Sequence, residues 1–290
     1  MATVSAADVK SLRTQTGAGM MDCKRALTDA AGDLERANDL LRERGLAKAG
    51  KRAGRATSEG VIAIAREGPA ASIIELGCET DFVARTDEYQ ALGSEIAQLV
   101  LAEPDLTSVE QVLAAPLGDG AVGDRLTAAI SKLGENIELK RVRRLATPSG
   151  ITGGYVHAGG KLGVVVSIRV DGTGEVLEAF AKDIAMHIAA ADPTPLAVDR
   201  DSVDPAAVAR ERSILHAQAV QSGKPENVIE KMVEGRLRKF FAENCLLEQA
   251  FVRDPDVSVG DVARRVAGEI GTEVGIAEFA RFRLGEESVG

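Results

Sequence analysis

Short apolar stripes at helical spacing alternate with glycine breaks over residues 1–45, and this pattern predicts a compact unit of three short helices. Ser5 and Asp33 each precede a stripe and are typical helix caps. The apolar positions are Val9, Leu12, Met20, Cys23, Leu27, Leu34, Ala37, Leu40 and Leu41. Gly32 is expected to end the second helix and Gly45 the third. Because its core is small, this unit is expected to be only marginally stable alone.

Residues 46–59, LAKAGKRAGRATSE, combine alanine and glycine with four basic side chains, Lys48, Lys51, Arg52 and Arg55. A nucleic-acid surface is usually basic too, but it interleaves aromatic residues that are lacking here. We therefore interpret residues 46–59 as a basic, solvated linker.

From Gly60 onward the pattern changes to short β-branched runs, which predict strands. The first half contains a hairpin (61–64 and 72–76), helices (about 87–102, 107–115 and 126–133) and a strand (137–145). Asp87 is expected to cap the first of these helices. A second hairpin (151–157 and 162–170), a helix (about 174–190) and a strand (276–284) repeat that order. The predicted fold class is α+β, with two related subdomains of antiparallel sheet plus helices, residues 60–147 and 148–290.

A helical hairpin is predicted within the second subdomain, at about 203–243. Asp204-Pro205 marks the start of its first helix. Ser222-Gly223-Lys224-Pro225 forms the turn, with glycine past the end of one helix and proline at the start of the next. This segment is expected to project as an antiparallel helix pair.

Composition narrows the class of protein. Hydrophobic residues make up 45% and charged residues 27% of the chain, and no apolar run approaches the roughly 18 residues of a membrane span. The N-terminus lacks a secretory signal, and three widely spaced cysteines do not suggest disulfides, so we expect a cytoplasmic protein. A net charge of −9 argues against an extended nucleic-acid surface.

Candidate catalytic and metal-binding groups are sparse. His157, His187 and His216 do not have ligand spacing and no C-x-x-C is present, so no metal site is predicted. We interpret His187 as a structural helix residue and keep His157, at a predicted hairpin tip, as a candidate. The glycine-rich segment 153–162 is similar to a phosphate-binding loop. However, Tyr155 and Leu162 replace its first glycine and its hydroxyl residue, so it is interpreted as a hairpin turn.

Two apolar features have more than one interpretation. Met20 and Met21 point about 100° apart on a helix, so either one packs inside and the other faces out, or both fill the small core. In the segment GCETDFVART, residues 77–86, Phe82 lies in a turn between a predicted strand and a helix. It either plugs the seam between those elements or projects, with Asp81 beside it, to be buried by a partner.

Several separated motifs together resemble the bacterial elongation factor Ts family, the nucleotide-exchange factors of elongation factor Tu. They are Leu12-Arg13, Thr16–Lys24, Cys78–Arg85, Lys132–Ile137, Ala185–Ala190, Ser222–Pro225 and Lys231–Arg236. The resemblance covers nearly the whole chain. It implies that the N-terminal module has a fold similar to a ubiquitin-associated domain.

The resemblance also implies site residues. The turn Thr80-Asp81-Phe82-Val83 is expected to enter the GTPase domain of elongation factor Tu near its magnesium and phosphate site. Phe82 would wedge between helices, and Asp81 would help to displace the groups that hold the metal. Further partner contacts are expected from Arg13, Met20, Met21, Leu133, Gly134 and His157. No cofactor, no bond-making chemistry and no direct nucleotide binding are implied, and a dimer or a heterotetramer with the partner is possible in such a family.

Two functions of other classes are weighed against exchange. A nucleotide-hydrolysing enzyme would use the 153–162 loop and would bind GTP or ATP by itself. An adaptor would place its main affinity in residues 1–55. We expect the core, and not the N-terminal module, to carry most of the interface.

Overall fold

The computed structural model describes residues 4–286, so the ends of two predicted domains, residues 1–3 and 287–290, lie outside the described residues. It begins with the predicted three-helix module: α1 (Ala6–Thr16), α2 (Met20–Asp29) and α3 (Leu34–Arg52). Ser5 and Asp33 cap α1 and α3 as predicted. The module's core contains Leu12, Cys23, Leu27 and Ala37.

The expectation that Gly45 ends the third helix is wrong. Helix α3 continues through Gly45 to Arg52, so residues 46–52 of the predicted linker are helical. Gly45 is buried against the later helix that carries Ser131, and the Arg52 guanidinium donates to the carbonyl oxygen of Ile130 over 3.1 Å. Packing against the core therefore outweighs the low helix propensity of glycine.

The first half of the core is a three-stranded antiparallel sheet covered by helices. Its elements are β1 (Glu59–Glu67), β2 (Ala70–Cys78), α4 (Asp81–Ala84), α5 (Asp87–Ala102), α6 (Val109–Ala114), β3 (Pro116–Leu117), β4 (Gly120–Ala121), α7 (Val122–Leu133) and β5 (Ile137–Ala146). The strand order is β1-β2-β5, with β3 and β4 forming a separate short ribbon. The predicted cap of α5 is wrong by one residue, because Thr86 accepts from the Tyr89 amide and Asp87 occupies the first helical turn.

The second half repeats this sheet. Its elements are β6 (Gly150–Val156), β7 (Leu162–Val170), α8 (Glu175–Ala190), α9 (Pro205–Val220), α10 (Glu226–Asn244), a 3-10 turn (Leu246–Glu248), β8 (Ala250–Phe251), β9 (Asp254–Ser258), α11 (Val259–Ile270) and β10 (Val274–Arg283). The order β10-β7-β6 again places the second strand of a hairpin at the centre. Helices α9 and α10 form the predicted helical hairpin around Leu215, Ala219, Ile229 and Val233. Helix α11 was not predicted, although Ser258 and Asp261 form a capping box at its start.

The two sheets pack face to face, and their helices lie on the outer sides. Ile62, Ile73 and Leu145 of the first sheet meet Val165 and Ala280 of the second. Gly163 permits this close approach, because an added methyl group there would lie 2.5 Å from a side-chain carbon of Ile62. The α+β class and the pair of related halves are confirmed. No helix within residues 4–286 is long and apolar enough to cross a membrane.

Candidate functional site

Phe82 lies on a single exposed helical turn. Strand β2 ends at Cys78, and α4 follows after two residues, with Thr80 as its N-cap. The Phe82 side chain is 82% exposed, whereas Val83 and Ala84 on the same turn are buried. The interpretation of Phe82 as a core plug is therefore wrong, and the ring projects into solvent.

Hydrogen bonds from a neighbouring turn fix the backbone that leads to Phe82. The amides of Glu79 and Thr80 donate to one carboxylate oxygen of Glu135, over 3.1 and 2.9 Å. The Thr80 hydroxyl donates to its other oxygen over 2.5 Å. In the opposite direction, the amide of Asn136 donates to the Glu79 carboxylate over 2.7 Å. The chain at residues 79–80 is thus joined to residues 135–136 by four bonds that all end on a carboxylate.

The distal end of α4 is also anchored. The Thr86 hydroxyl donates to the Val83 carbonyl over 2.9 Å, and the side-chain amide of Gln90 donates to the Ala84 carbonyl over 2.6 Å. The Gln90 bond gives a partner to a carbonyl group at the end of this short helix, where helical partners are lacking, and the Thr86 hydroxyl adds a second bond to a carbonyl that already accepts the Thr86 backbone amide. The turn is therefore held at both ends while Phe82 itself contacts little.

Asp81 is paired only at the surface. Its carboxylate lies 3.0 Å from the guanidinium of Arg85, with 40% of the Asp81 and 80% of the Arg85 side chain exposed. An exposed ion pair of this kind contributes about 0–1 kcal/mol, because water screens it. Little free energy is needed to redirect the Asp81 carboxylate toward a partner.

The buried side chains of Cys78 and Tyr89 lie beneath the turn and are uncharged. Burial raises the pKa of the Cys78 thiol, which donates to the Thr80 carbonyl over 3.2 Å. Burial also raises the pKa of Tyr89, whose hydroxyl donates to the Leu76 carbonyl over 2.7 Å. Both groups stay protonated near neutral pH, so their contribution is packing and hydrogen bonding.

The predicted Leu133-Gly134 contact adjoins this turn. Gly134 ends α7 with φ of +84° and is exposed, and Leu133 is half-buried against the core. The adjacent Lys132 forms an ion pair with Glu88, near the start of α5, at 2.7 Å. Residues 133–134 and the Phe82 turn therefore lie side by side.

The N-terminal module reaches the same region. A methyl group added at Gly17, between α1 and α2, would lie 3.5 Å from the Lys132 side chain. Both interpretations of the methionine pair are wrong, because Met20 is 58% and Met21 64% exposed. Arg13 is exposed as well. The small core closes over Cys23 and Leu27 and leaves both thioethers to solvent.

His157 lies at a hairpin tip, as predicted. It is exposed, and its Nδ1 is hydrogen-bonded to the Tyr155 hydroxyl over 2.9 Å. In the same turn, Lys161 forms an ion pair with Glu59 at 2.6 Å, and Glu59 is the strand partner of Cys78. The hairpin tip and the Phe82 turn are thus at the same end of the stacked sheets.

The glycine-rich segment 153–162 is a hairpin, as predicted, and the two glycines on its first strand serve packing. A methyl group at Gly153 would lie 2.2 Å from the carbonyl of Ala181 on α8, and one at Gly154 would meet Ile64 of the other sheet at 2.8 Å. Gly153 and Gly154 are therefore occupied by contacts between layers, and this arrangement does not favour a phosphate-binding loop.

His187 is a structural helix residue, as interpreted. It is buried, and its Nδ1 accepts the amide of Val252 over 3.1 Å while its Nε2 lies 3.0 Å from the Gln249 side-chain oxygen. Burial lowers its pKa, although the bond to Gln249 opposes that shift. Within residues 4–286, no group of three or more potential metal ligands comes together.

Sequence patterns assigned no role to Glu79, Lys132 or Glu135. Glu79 and Glu135 are far apart in the chain and flank unremarkable turns, so periodicity carries no signal for them. The available signal was that both acids lie within motifs that resemble the elongation factor Ts family, Cys78–Arg85 and Lys132–Ile137.

Comparison with known proteins points to the same family as the sequence motifs. A family model described as "Elongation factor TS" matches residues 79–286. Elongation factor Ts of Clostridium acetobutylicum is 43% identical over 287 residues, covering 98% of this chain and 93% of that protein. Elongation factor Ts of Agrobacterium fabrum is 45% identical over 291 residues, covering 99% and 94% respectively. The chain belongs to the elongation factor Ts family.

Proposed function

We propose that this protein is a guanine-nucleotide exchange factor that binds elongation factor Tu carrying GDP and accelerates GDP release during translation elongation. Membership of the elongation factor Ts family supports the class of activity. The observation that carries the site is the 82% exposure of Phe82 on a turn fixed at both ends. A large apolar ring presented in this way is suited to burial by another protein.

The proposed mechanism uses binding energy alone. A GTPase holds its nucleotide mainly through phosphate and magnesium electrostatics. Insertion of Phe82 would separate elements around that site, and the Asp81 carboxylate would compete for the groups that hold the metal. A protein that binds the nucleotide-free state more tightly must weaken nucleotide binding by the same factor.

Three further surfaces would extend the contact. Leu133 and Gly134 lie beside Phe82, Met20 and Met21 project from the N-terminal module, and His157 projects from the second subdomain. Thr80 and Val83 would act mainly by holding the turn. The exposed apolar groups at this end would be covered in the complex. Their burial there would offset the unfavourable free energy of exposing them to water in the free protein.

The test is a GDP-release assay with elongation factor Tu loaded with fluorescent GDP and chased with unlabelled GDP. Burial of a phenyl ring contributes about 1.5–3 kcal/mol, and about 1.4 kcal/mol changes a rate tenfold. Phe82→Ala is therefore expected to lower kcat/KM for release by about 10- to 150-fold.

Leu196→Ala is the matched control, because Leu196 is a 55% exposed apolar side chain in the loop after α8. It should exchange GDP like the unmutated protein. Failure of the unmutated protein to accelerate release would refute the proposed function. Equal losses in the two variants would refute the role of Phe82.

A further inference from the structure

Glu79 and Glu135 form a reciprocal pair that we call the carboxylate clamp. Glu135 accepts the amides of Glu79 and Thr80 and the Thr80 hydroxyl, at 3.1, 2.9 and 2.5 Å. Glu79 accepts the amide of Asn136 at 2.7 Å. Each acid therefore receives backbone hydrogen bonds from the turn that carries the other acid.

The clamp lies directly behind the residues that would meet the partner. Thr80 is the N-cap of α4, so its position sets the direction in which Asp81 and Phe82 leave the sheet. On the other turn, Glu135 follows Gly134, which is exposed and ends α7. The clamp joins the two turns into one rigid unit.

Phe82 cannot supply this rigidity through its own contacts. Its ring is 82% exposed, so its orientation depends on the backbone beneath it. A wedge that is mobile in the free protein must lose conformational entropy when it binds, and that loss reduces the energy available to open the partner.

We propose that Glu135 is a positioning residue for nucleotide exchange: by accepting the backbone of residues 79–80, it holds Phe82 in the orientation that enters the partner. This inference rests on the proposed function. What matters is the bonding geometry of the acceptor and not its charge. A glutamine amide oxygen can accept the two backbone amides, while its NH₂ group donates to the Thr80 hydroxyl, which rotates to accept.

The first test needs no partner. Amide hydrogen exchange of Glu79 and Thr80, followed by NMR, should accelerate at least about tenfold in Glu135→Ala, because an amide that loses its acceptor is exposed to water. In Glu135→Gln the protection should be retained within about threefold. Unchanged exchange in Glu135→Ala would overturn the clamp itself.

The second test is a double-mutant cycle on GDP release. Glu135→Ala is expected to lower kcat/KM about tenfold in the unmutated background and less than about twofold in the Phe82→Ala background, because residues that act through one another are not additive. Glu135→Gln should restore most of the rate. Equal losses in both backgrounds, or a Gln variant as slow as the Ala variant, would overturn the positioning role.

A matched control exists in α11. There Asp261 accepts the amide and the hydroxyl of Ser258 at 2.9 and 2.6 Å, the same pair of bonds that Glu135 makes with Thr80. Asp261→Ala should leave GDP release within about twofold of the unmutated protein. If Asp261→Ala slows release as much as Glu135→Ala does, then losing a capping interaction anywhere in the protein slows release, and the proposal is wrong.

Two results separate the clamp from the proposed function and from simple unfolding. If the unmutated protein does not accelerate GDP release, the proposed function fails, while the hydrogen-exchange result still decides the clamp. If Glu135→Ala does not fold, Glu135→Asp replaces it, since its carboxylate is one methylene shorter and is drawn away from the amides of Glu79 and Thr80, which faster hydrogen exchange of those amides verifies. A loss of about threefold that vanishes in the Phe82→Ala background supports the clamp, and no loss overturns it.

Discussion

Replacing Arg141 with leucine is expected to destabilise the protein far more than replacing Arg143, two residues away on β5. Arg141 forms an ion pair with Glu75 of β2 at 2.5 Å, with only 14% and 2% of the two side chains exposed. Its guanidinium also donates to the carbonyl of Arg283 over 2.8 Å and lies 4.3 Å from the centre of the Phe282 ring. Arg141 therefore connects the first sheet to the end of β10 in the second.

The expected loss of stability follows from the environment of Glu75 after Arg141 is replaced. In Arg141→Leu the Glu75 carboxylate stays buried, and its remaining contact in the described structure is the amide of Gly285 at 3.3 Å. Removing one partner of a buried pair costs about 3–5 kcal/mol, because the other charge loses its compensation. The Arg143–Glu278 pair is 58% and 41% exposed, and such a pair contributes about 0–1 kcal/mol.

The measurement is urea unfolding followed by far-ultraviolet circular dichroism, since the chain has no tryptophan to report by fluorescence. We expect a loss of about 3–5 kcal/mol for Arg141→Leu and less than about 1 kcal/mol for Arg143→Leu. The double variant Glu75→Leu/Arg141→Leu should be more stable than Arg141→Leu alone. Similar losses at Arg141 and Arg143 would refute the reasoning from burial.

Three further predictions concern other parts of the molecule. Gly45→Ala should stabilise the protein by about 0.5–1 kcal/mol in urea unfolding, because the added methyl group would lie an ordinary 3.7 Å from Ser131; a loss of stability would contradict the packing inferred between α3 and α7. Replacing Met20 and Met21 together with alanine should weaken binding to elongation factor Tu, measured by calorimetry, and leave the unfolding midpoint unchanged, because both side chains are exposed. Burial lowers the pKa of His187 in the folded protein, so the unfolded chain binds its proton first and stability should fall as the pH decreases below about 6.5. His187→Gln should flatten that decline, and an unchanged slope would exclude His187 as its cause.

The helices and strands were largely predictable because their apolar periodicity is local. The hairpin–helix–strand order of both halves, the helical hairpin after Asp204 and the end of α7 at Gly134 follow from that periodicity and from turn residues. Gly45 misled because its local propensity opposes a helix, whereas the contact that sustains the helix comes from Ser131 in another part of the chain.

The candidate site was predictable only in part. Phe82 is buried only if another element of the fold packs over it. The spacing of apolar residues in the sequence does not show whether such an element is present. The link from Glu135 to Thr80 spans 55 residues, so no local window includes both groups. For Met20 and Met21, helical spacing gave relative directions, but the size of the module core decided that both are outside.

The proposed exchange activity requires exposed apolar groups to be combined with a rigid support. Exposure of Phe82 costs free energy in the isolated protein, and in the proposed complex that cost would be recovered when the partner covers the ring. Under the proposed mechanism, a flexible turn would let the ring adapt to the nucleotide-bound partner as well, and binding would then discriminate less between the two states of the GTPase. Only a differential affinity shifts an equilibrium. We therefore expect the four bonds between residues 79–80 and 135–136 to support the proposed activity by positioning the Phe82 ring.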